Sequence, residues 1–541
     1  MLDNRLGVLY FILFFIKKIL KSFFLVKDIS EEEKKFHINK YEKFFLDLKS
    51  KDKKKESILL VCLDSFQIYF FYIWLTIYKL TLKKKYKLKI VTSKKNKLIL
   101  FLIKNYKIEY FLAEDILKKR RNINSIASKR IKKLSTFNDF YNFRYETFDI
   151  GMMIISNFCR IHKVGFVNYA SQIQKKILKK SIQNFIGEYE FIKKEHFFND
   201  VRLMFAFEKN LFPDLHFFLY SIKNKLKFFY WSGSNLDEKS FIIKKYSKEN
   251  IYSHHSSVSN NLWTKIKNYK GNKFIKNNEK IFNKRFSGKF ASFSPNLMEC
   301  TKDINSKIKV LNNKPNCLIF SHILHDTLYF FGKEYYDSYS HWLIETTKVA
   351  CLNKKVNWYI KFHPSNLYRG EFNKGKSKEE DIIRQNIKKI PNHIKFIYPD
   401  TKINPLRWMK FADIGITVRG TAGLEMAVLN KPVITCGRNR YENKGFTIDP
   451  KNKLEYENLL LKLPKLDKVL DKKSYSKANI FYNHVFEQKV FSCDFMETKI
   501  NSKKFDWNEI KFNIRKELMN KKNIHKIKEY LNNSKSSDFI K

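Results

Sequence analysis

The chain has 541 residues, enough for two or three domains with substantial cores, and 44% of them are hydrophobic. Its 106 Lys and Arg against 53 Asp and Glu give a formal charge of +53, which points to an anionic partner. The lysines are spread along the chain and no zinc-finger spacing or RNA-binding aromatic motif appears, so nucleic acid is excluded as the main ligand in favour of anionic lipid headgroups. The seven cysteines are scattered and odd in number, with no C-x-x-C pair. That excludes a disulfide framework or zinc site and fits a reducing cytoplasm.

The run from Gly7 to Val26 is apolar around Lys17, Lys18 and Lys21. Its uninterrupted apolar stretch is too short to span a bilayer, and it lacks the features of a cleavable signal. It reads as an amphipathic helix at the membrane interface, making the protein cytoplasmic and peripheral on the inner face of the cytoplasmic membrane. Residues 28–56 form a charged linker.

From Ser57 the pattern alternates strand and helix: Ser57–Leu63, Leu88–Thr92 and Ile108–Leu112 as strands, with helices over 66–80 and 94–106. This predicts a parallel sheet. No G-x-G-x-x-G follows the first strand. Residues 115–225 read as mostly helical, apart from a strand-like piece at 148–155 that brings Asp149 to a strand mouth. Lys227–Trp231 is the next strand, ending in Ser232 and Gly233, and a helix is expected over 236–247. The polar turns at Asp64, at Ser232 and Gly233, and at His254 and His255 are candidate lining for an acceptor crevice. Residues 259–314, rich in Lys and Asn, read as a linker between a first lobe (57–258) and a second (315–490). A charged, partly helical tail covers 491–541.

The second lobe is patterned more clearly. Asn316–Ser321 is a strand, followed by His322, His325 and Asp326. A helix over 334–352 carries an apolar stripe that reads as core. Asn357–Phe362 is a strand running into His363 and Pro364. Strands at 393–397, 413–418 and 433–436 alternate with helices at 379–389, 404–411 and 424–429. The turn Arg419-Gly420-Thr421-Ala422-Gly423 is built of small residues after Arg419. Such a turn lets a backbone approach a ligand, and the helix N-terminus behind it favours a phosphate. Glu425, one helical turn on, is placed to accept hydrogen bonds from ribose hydroxyls. The fold expected is α/β, with two Rossmann-like lobes facing a cleft, helical insertions and an N-terminal amphipathic helix.

The order SHILHD, HWLIETT, WYIKFHPSN, VRGTAGLEMAVLNKPVIT and GRNRYENKGFT resembles bacterial capsule polysaccharide biosynthesis proteins, which are similar to GT-B glycosyltransferases including Kdo (3-deoxy-manno-octulosonate) transferases. The resemblance implies a nucleotide-sugar donor in the second lobe and a lipid-linked or polysaccharide acceptor in the first. It places His363 and Pro364 in a motif whose histidine contacts the CMP phosphate. It likens Arg419 to Gly423, with Glu425, to the phosphate-and-ribose site, and closes the loop holding Arg440 and Tyr441 over the donor. CMP-Kdo is the donor it suggests, with UDP- and GDP-linked sugars beside it, and it implies no cofactor beyond that co-substrate.

The chemistry of the residues agrees. Sugar transfer must stabilise a leaving phosphate. With no D-x-D motif to hold a metal, that falls to Lys361, His363, Arg419 and the amides at 421–423. A hydroxyl acceptor needs a general base, for which His322, His325 and Asp326 are favoured over Asp64, Asp149 and the histidine pair at 254 and 255. A polyol-phosphate transferase with a CDP-linked donor, a UDP-sugar 2-epimerase and a non-catalytic assembly scaffold are the competing readings.

Overall fold

A computed structural model of the chain describes residues 31–32, 34–35, 48, 56–63, 68–119, 125–233, 240–286, 308, 312–369, 372–373, 375–492, 496–499, 511–514, 521–533 and 535–540. The expected interface helix at 7–26 and the candidate Asp64 lie outside these residues. Among the described residues no helix is long and apolar enough to cross a membrane.

The first sheet is built from β1 (Ser57–Cys62), β2 (Lys87–Thr92), β3 (Glu109–Leu112), β4 (Val201–Ala206), β5 (Lys227–Gly233) and β6 (Ser240–Tyr246). β1 lies between β2 and β4 and runs parallel to both. All six of its residues are buried, as an apolar run covered on both faces must be. Alternation splits it between two cores: Ile58, Leu60 and Cys62 enter one, Leu59 and Val61 the other. The order β3-β2-β1-β4-β5 is that of a doubly wound sheet, and β6 then pairs antiparallel with β5.

The second sheet holds β7 (Asn316–Phe320), β8 (Asn357–Lys361), β11 (Ile394–Ile397), β12 (Ile414–Thr417) and β13 (Val433–Thr435) in the order β11-β8-β7-β12-β13, all parallel. A small antiparallel pair, β9 (Phe372–Asn373) and β10 (Lys376–Ser377), stands apart. Cys317 and Ile319 face the core cluster that also contains Leu59 and Val61, while Leu318 and Phe320 face a third cluster. One buried cluster therefore runs through both sheets. After the second sheet the chain returns: β14 (Val490–Ser492) adds antiparallel to β6, and the helix Lys521–Asn533 buries Ile527, Tyr530 and Leu531 against the first sheet's outer core.

The molecule is thus an α/β protein of two Rossmann-like lobes facing a cleft, the GT-B arrangement, with helical insertions. Four local expectations need correction. The piece expected as a strand at 148–155 begins the helix Ile150–His162, in which Ile150 to Cys159 are all buried; burial all round hides the helical period. The helix expected at 236–247 is the strand β6 over its described part, drawn into the antiparallel edge that β5 offers. β4 lies inside the stretch read as helical. The 259–314 linker contains the helices Asn260–Ile266 and Asn272–Phe286. The longer one packs on the helix Lys472–Asn483, where Asn278 Nδ2 donates to the Asn479 carbonyl at 2.9 Å.

Candidate active site at the strand ends

Polar residues that follow the carboxyl ends of strands in both sheets converge on one cavity of about 290 Å³. Glu208, Lys209 and Asn210 follow β4. His254 and His255 lie in the turn after β6. Ser321, His322 and Asp326 follow β7, His363 follows β8, Arg419 to Thr421 follow β12, and Asn439 and Arg440 follow β13.

The Gly420 turn is braced from two sides. Gly420 N–H donates to Thr417 Oγ1 at 3.1 Å, and Tyr441 Oη donates to the Gly420 carbonyl at 2.8 Å. Gly423 is required by that brace, because a Cβ there would stand 2.2 Å from Tyr441 Oη. The helix Thr421–Val428 starts directly behind the turn, so its free amides and positive dipole end meet the cavity at Thr421.

Two arginines flank this helix end. Arg419 is buried, forms an ion pair with Glu334, donates from Nη1 to the Thr327 carbonyl at 3.3 Å, and lies over Phe331 at 4.8 Å. Burial pulls its pKa down to about 9. Arg440 donates from Nη1 to Ser256 Oγ at 3.2 Å, linking the lobes, and burial pulls it down to about 10. Both stay charged at neutral pH. From the first lobe comes Lys209, whose Nζ donates to Asn210 Oδ1 at 2.9 Å and to the Ile251 carbonyl at 3.1 Å. Burial lowers its pKa to about 7, against the pull of Glu208.

Two histidines on opposite lobes share a local device. The backbone N–H of Ser256 donates to His254 Nδ1 at 3.0 Å, and that of Ser365 to His363 Nδ1 at 3.2 Å. An Nδ1 that accepts a backbone proton puts the neutral ring's proton on Nε2, so each imidazole is a hydrogen-bond donor at that atom. His254 and His255, their ring centroids 4.0 Å apart, are held well below the ordinary histidine pKa by burial and then by the Arg440 charge. In such a ring Nε2 already carries its proton and the Nδ1 lone pair is turned to the backbone N–H, so neither nitrogen offers a base to the cavity. His254 and His363 are therefore placed to bind a ligand oxygen rather than to act as bases.

The carboxylates on the cavity wall differ in the same way. Asp326 is paired with Arg160, a contact between the lobes. Glu208 accepts the Lys209 and Asn210 backbone N–H groups on Oε1, at 2.7 and 2.8 Å, and neither ties down its Oε2. Among the described residues no cluster of three or more His, Cys, Asp or Glu is placed to hold a metal.

Of the residues singled out from sequence, His322, Asp326, His363, Arg419, Gly420, Thr421, Arg440, His254 and His255 line the cavity. The others do not. Glu425 is corrected: its carboxylate is buried and paired with Arg285 at 2.6 Å rather than open to a ribose. Tyr441 is fully buried and braces the Gly420 turn, and Ala422 and Gly423 lie within the helix. His325 and Lys361 are buried away from the wall, and Pro364 is also outside it. Asp149 stands at a helix N-terminus, not a strand mouth, held by Arg144 at 3.1 Å and Tyr252 Oη at 2.7 Å. Ser232 and Gly233 are spent in the β5–β6 pairing.

Among the residues missed were Arg160, Glu208, Lys209 and Asn210. The run VRLMFAF at 201–207 is rich in β-favouring residues, and reading it as a strand would have placed Glu208 to Asn210 at a strand end. No local signal marks Arg160.

No family model matches the chain, and no curated protein matches it. Solved structures do. The chain is similar to the Thermosulfurimonas dismutans KpsC beta Kdo 2,4 transferase (14% identity, 52% of this chain and 80% of that one, TM-score 0.29). It is similar to a glycosyltransferase from Rickettsia africae (14%, 89% and 100%, TM-score 0.28) and to S. aureus MnaA in a co-structure with UDP (13%, 80% and 94%, TM-score 0.26). Identities and scores this low leave the activity to the geometry of the site.

Proposed function

We propose that the chain is a glycosyltransferase that takes a sugar from a nucleotide-sugar donor and passes it to a lipid-linked or growing surface polysaccharide. The observation that carries this is the opposition across one cavity: Arg419, Arg440 and the Thr421 helix end on the second lobe, and Glu208 on the first. Fixed positive charge and oriented amides suit the phosphate of a departing nucleotide. A carboxylate on the facing wall suits the acceptor hydroxyl.

In the reaction the acceptor oxygen bonds to the anomeric carbon while its proton passes to Glu208. The bond from that carbon to the phosphate oxygen breaks, and its electrons remain on the nucleotide phosphate. Arg440, the His363 Nε2–H and the amide of Thr421 meet that growing charge. His254, held as a donor, binds a hydroxyl or phosphate oxygen from the other side. CMP-Kdo is the donor proposed, on the resemblance carried by His363 and Pro364, and the inner membrane surface is the place proposed for the acceptor.

Calorimetric titration with CMP, CDP, UDP and GDP tests the reading, with His363→Ala and Arg440→Ala alongside. Binding of one nucleotide, weakened in both variants, supports it and names the donor class. Binding of none sinks it and favours the scaffold reading. A free-sugar product from a UDP-sugar would move the assignment to an epimerase.

A further inference from the structure

The cavity wall is tied to the far end of the chain. Residues 537–539 lie along β6: the Lys245 N–H donates to the Ser537 carbonyl at 2.9 Å, and Lys244 and Asp538 form an antiparallel bridge. Tyr530 Oη donates to the same carbonyl at 2.8 Å, and Phe539 packs on Phe491 and Tyr530. Beneath this strap the Asp538 carboxylate is fully buried with two lysines. Lys489 Nζ is 2.7 Å from it and Lys244 Nζ 3.7 Å, and the Ser259 N–H donates to it at 2.8 Å.

The lysines pass the connection on. Lys489 donates to the Ser257 carbonyl at 2.5 Å, and Lys244 to that carbonyl at 3.2 Å and to Ser257 Oγ at 2.7 Å. Ser257 in turn donates to the His254 carbonyl, from N–H at 3.0 Å and from Oγ at 2.7 Å. This turn presents His254 and His255 to the cavity. Two buried lysines 2.7 and 3.7 Å from one carboxylate depend on its charge; without it they repel each other across the Ser257 carbonyl they share.

We infer that Asp538 is a positioning residue for the cavity: through Lys489, Lys244 and Ser257 it sets the turn that presents His254 and His255. The inference rests on the cavity being the active site proposed above, and its test needs no nucleotide, so the two fail separately.

The test follows the ring signal of His254 by NMR of histidine-labelled full-length protein across pH, assigned by its loss in His254→Gln. The charged and titratable groups that act on this ring are Arg440, His255, Lys244 and Arg419. Removing a nearby negative charge would by itself lower a histidine pKa, whereas a Lys244 that loses its proton without the carboxylate would raise it, so the charge-neutral Ser257→Ala must show a rise as well. If Asp538 holds the turn, Asp538→Asn instead raises the His254 midpoint toward the ordinary 6.5, because the turn opens to water. Phe539→Ala, which strips packing from the strap without touching the charges, leaves the midpoint where it is. A midpoint unchanged or lowered in Asp538→Asn, or raised equally in Phe539→Ala, overturns the inference. Ser257→Ala removes the Oγ bonds to Lys244 and to the His254 carbonyl, loosens the turn while leaving its backbone bonds, and is charge-neutral. Should Asp538→Asn not fold, a rise in Ser257→Ala supports the inference and no rise overturns it.

Discussion

Arg285 and Glu425 meet at 2.6 Å inside the second lobe although 140 positions separate them. The guanidinium also lies over Phe486 at 4.5 Å, and both side chains are nearly inaccessible to solvent. The pair fastens the helix Asn272–Phe286 to the helix that starts at the Gly420 turn. Glu425→Ala leaves a buried cation without its partner, a loss on the order of 3–5 kcal/mol. Thermal unfolding should show a clear drop in Tm. A double Arg285→Met, Glu425→Met variant should unfold nearer to wild type than either single change.

Glu208→Gln keeps the size and the backbone contacts of the residue and removes its basicity. Turnover should fall about 100- to 10,000-fold, the range of a lost general base. Nucleotide affinity measured by calorimetry should stay within a few-fold of wild type. Equal loss in Asp326→Asn and none in Glu208→Gln would transfer the role to Asp326.

Arg440→Ala removes a charged donor from the phosphate side of the cavity. A hydrogen bond to a charged group is worth about 1.5–3 kcal/mol, so nucleotide affinity should fall at least tenfold. His363→Ala should weaken binding less, because a neutral Nε2–H is the weaker donor. Both comparisons are read in one calorimetric series.

His254 and His255 give the pH dependence a sign. Their folded pKa values lie below the ordinary 6.5, so between the folded and unfolded values the unfolded chain binds more protons. Stability then rises with pH in that window. It is fully present above about pH 6.5 and is lost as pH falls below it. Urea unfolding at pH 5 and pH 7 should show that loss, and a His254→Gln, His255→Gln double variant should show less of it.

Gly423→Ala puts a methyl group 2.2 Å from Tyr441 Oη. The ring must move, and with it the bond to the Gly420 carbonyl. Overpacking of this kind costs about 1–3 kcal/mol, and the displaced turn should also weaken nucleotide binding. Gly423→Ala, Tyr441→Phe should recover stability but not the brace.

The sequence by itself determined the alternation of strands and helices in the second lobe, the first three strands of the first lobe, and the small-residue turn at Gly420. Each is written in a local window: an apolar run with turn residues on either side, or a run of small residues between a strand and a helix. The same locality explains the errors. Ile150 to Cys159 are buried on every side, so no period betrays their helix. β6 is a strand because β5 offers it an edge and Asp538 neutralises its buried Lys244. Which polar residues share a wall was decided only by the tertiary structure. Glu425 looked open from its own helix until Arg285 arrived from 140 positions away. Glu208 reaches the cavity because two separate sheets aim their strand ends at one point, and Arg160 reaches it, while Asp149 does not, because they stand at opposite ends of the helix Ile150–His162. Charge pairing and convergence act through space, and a window along the chain records neither.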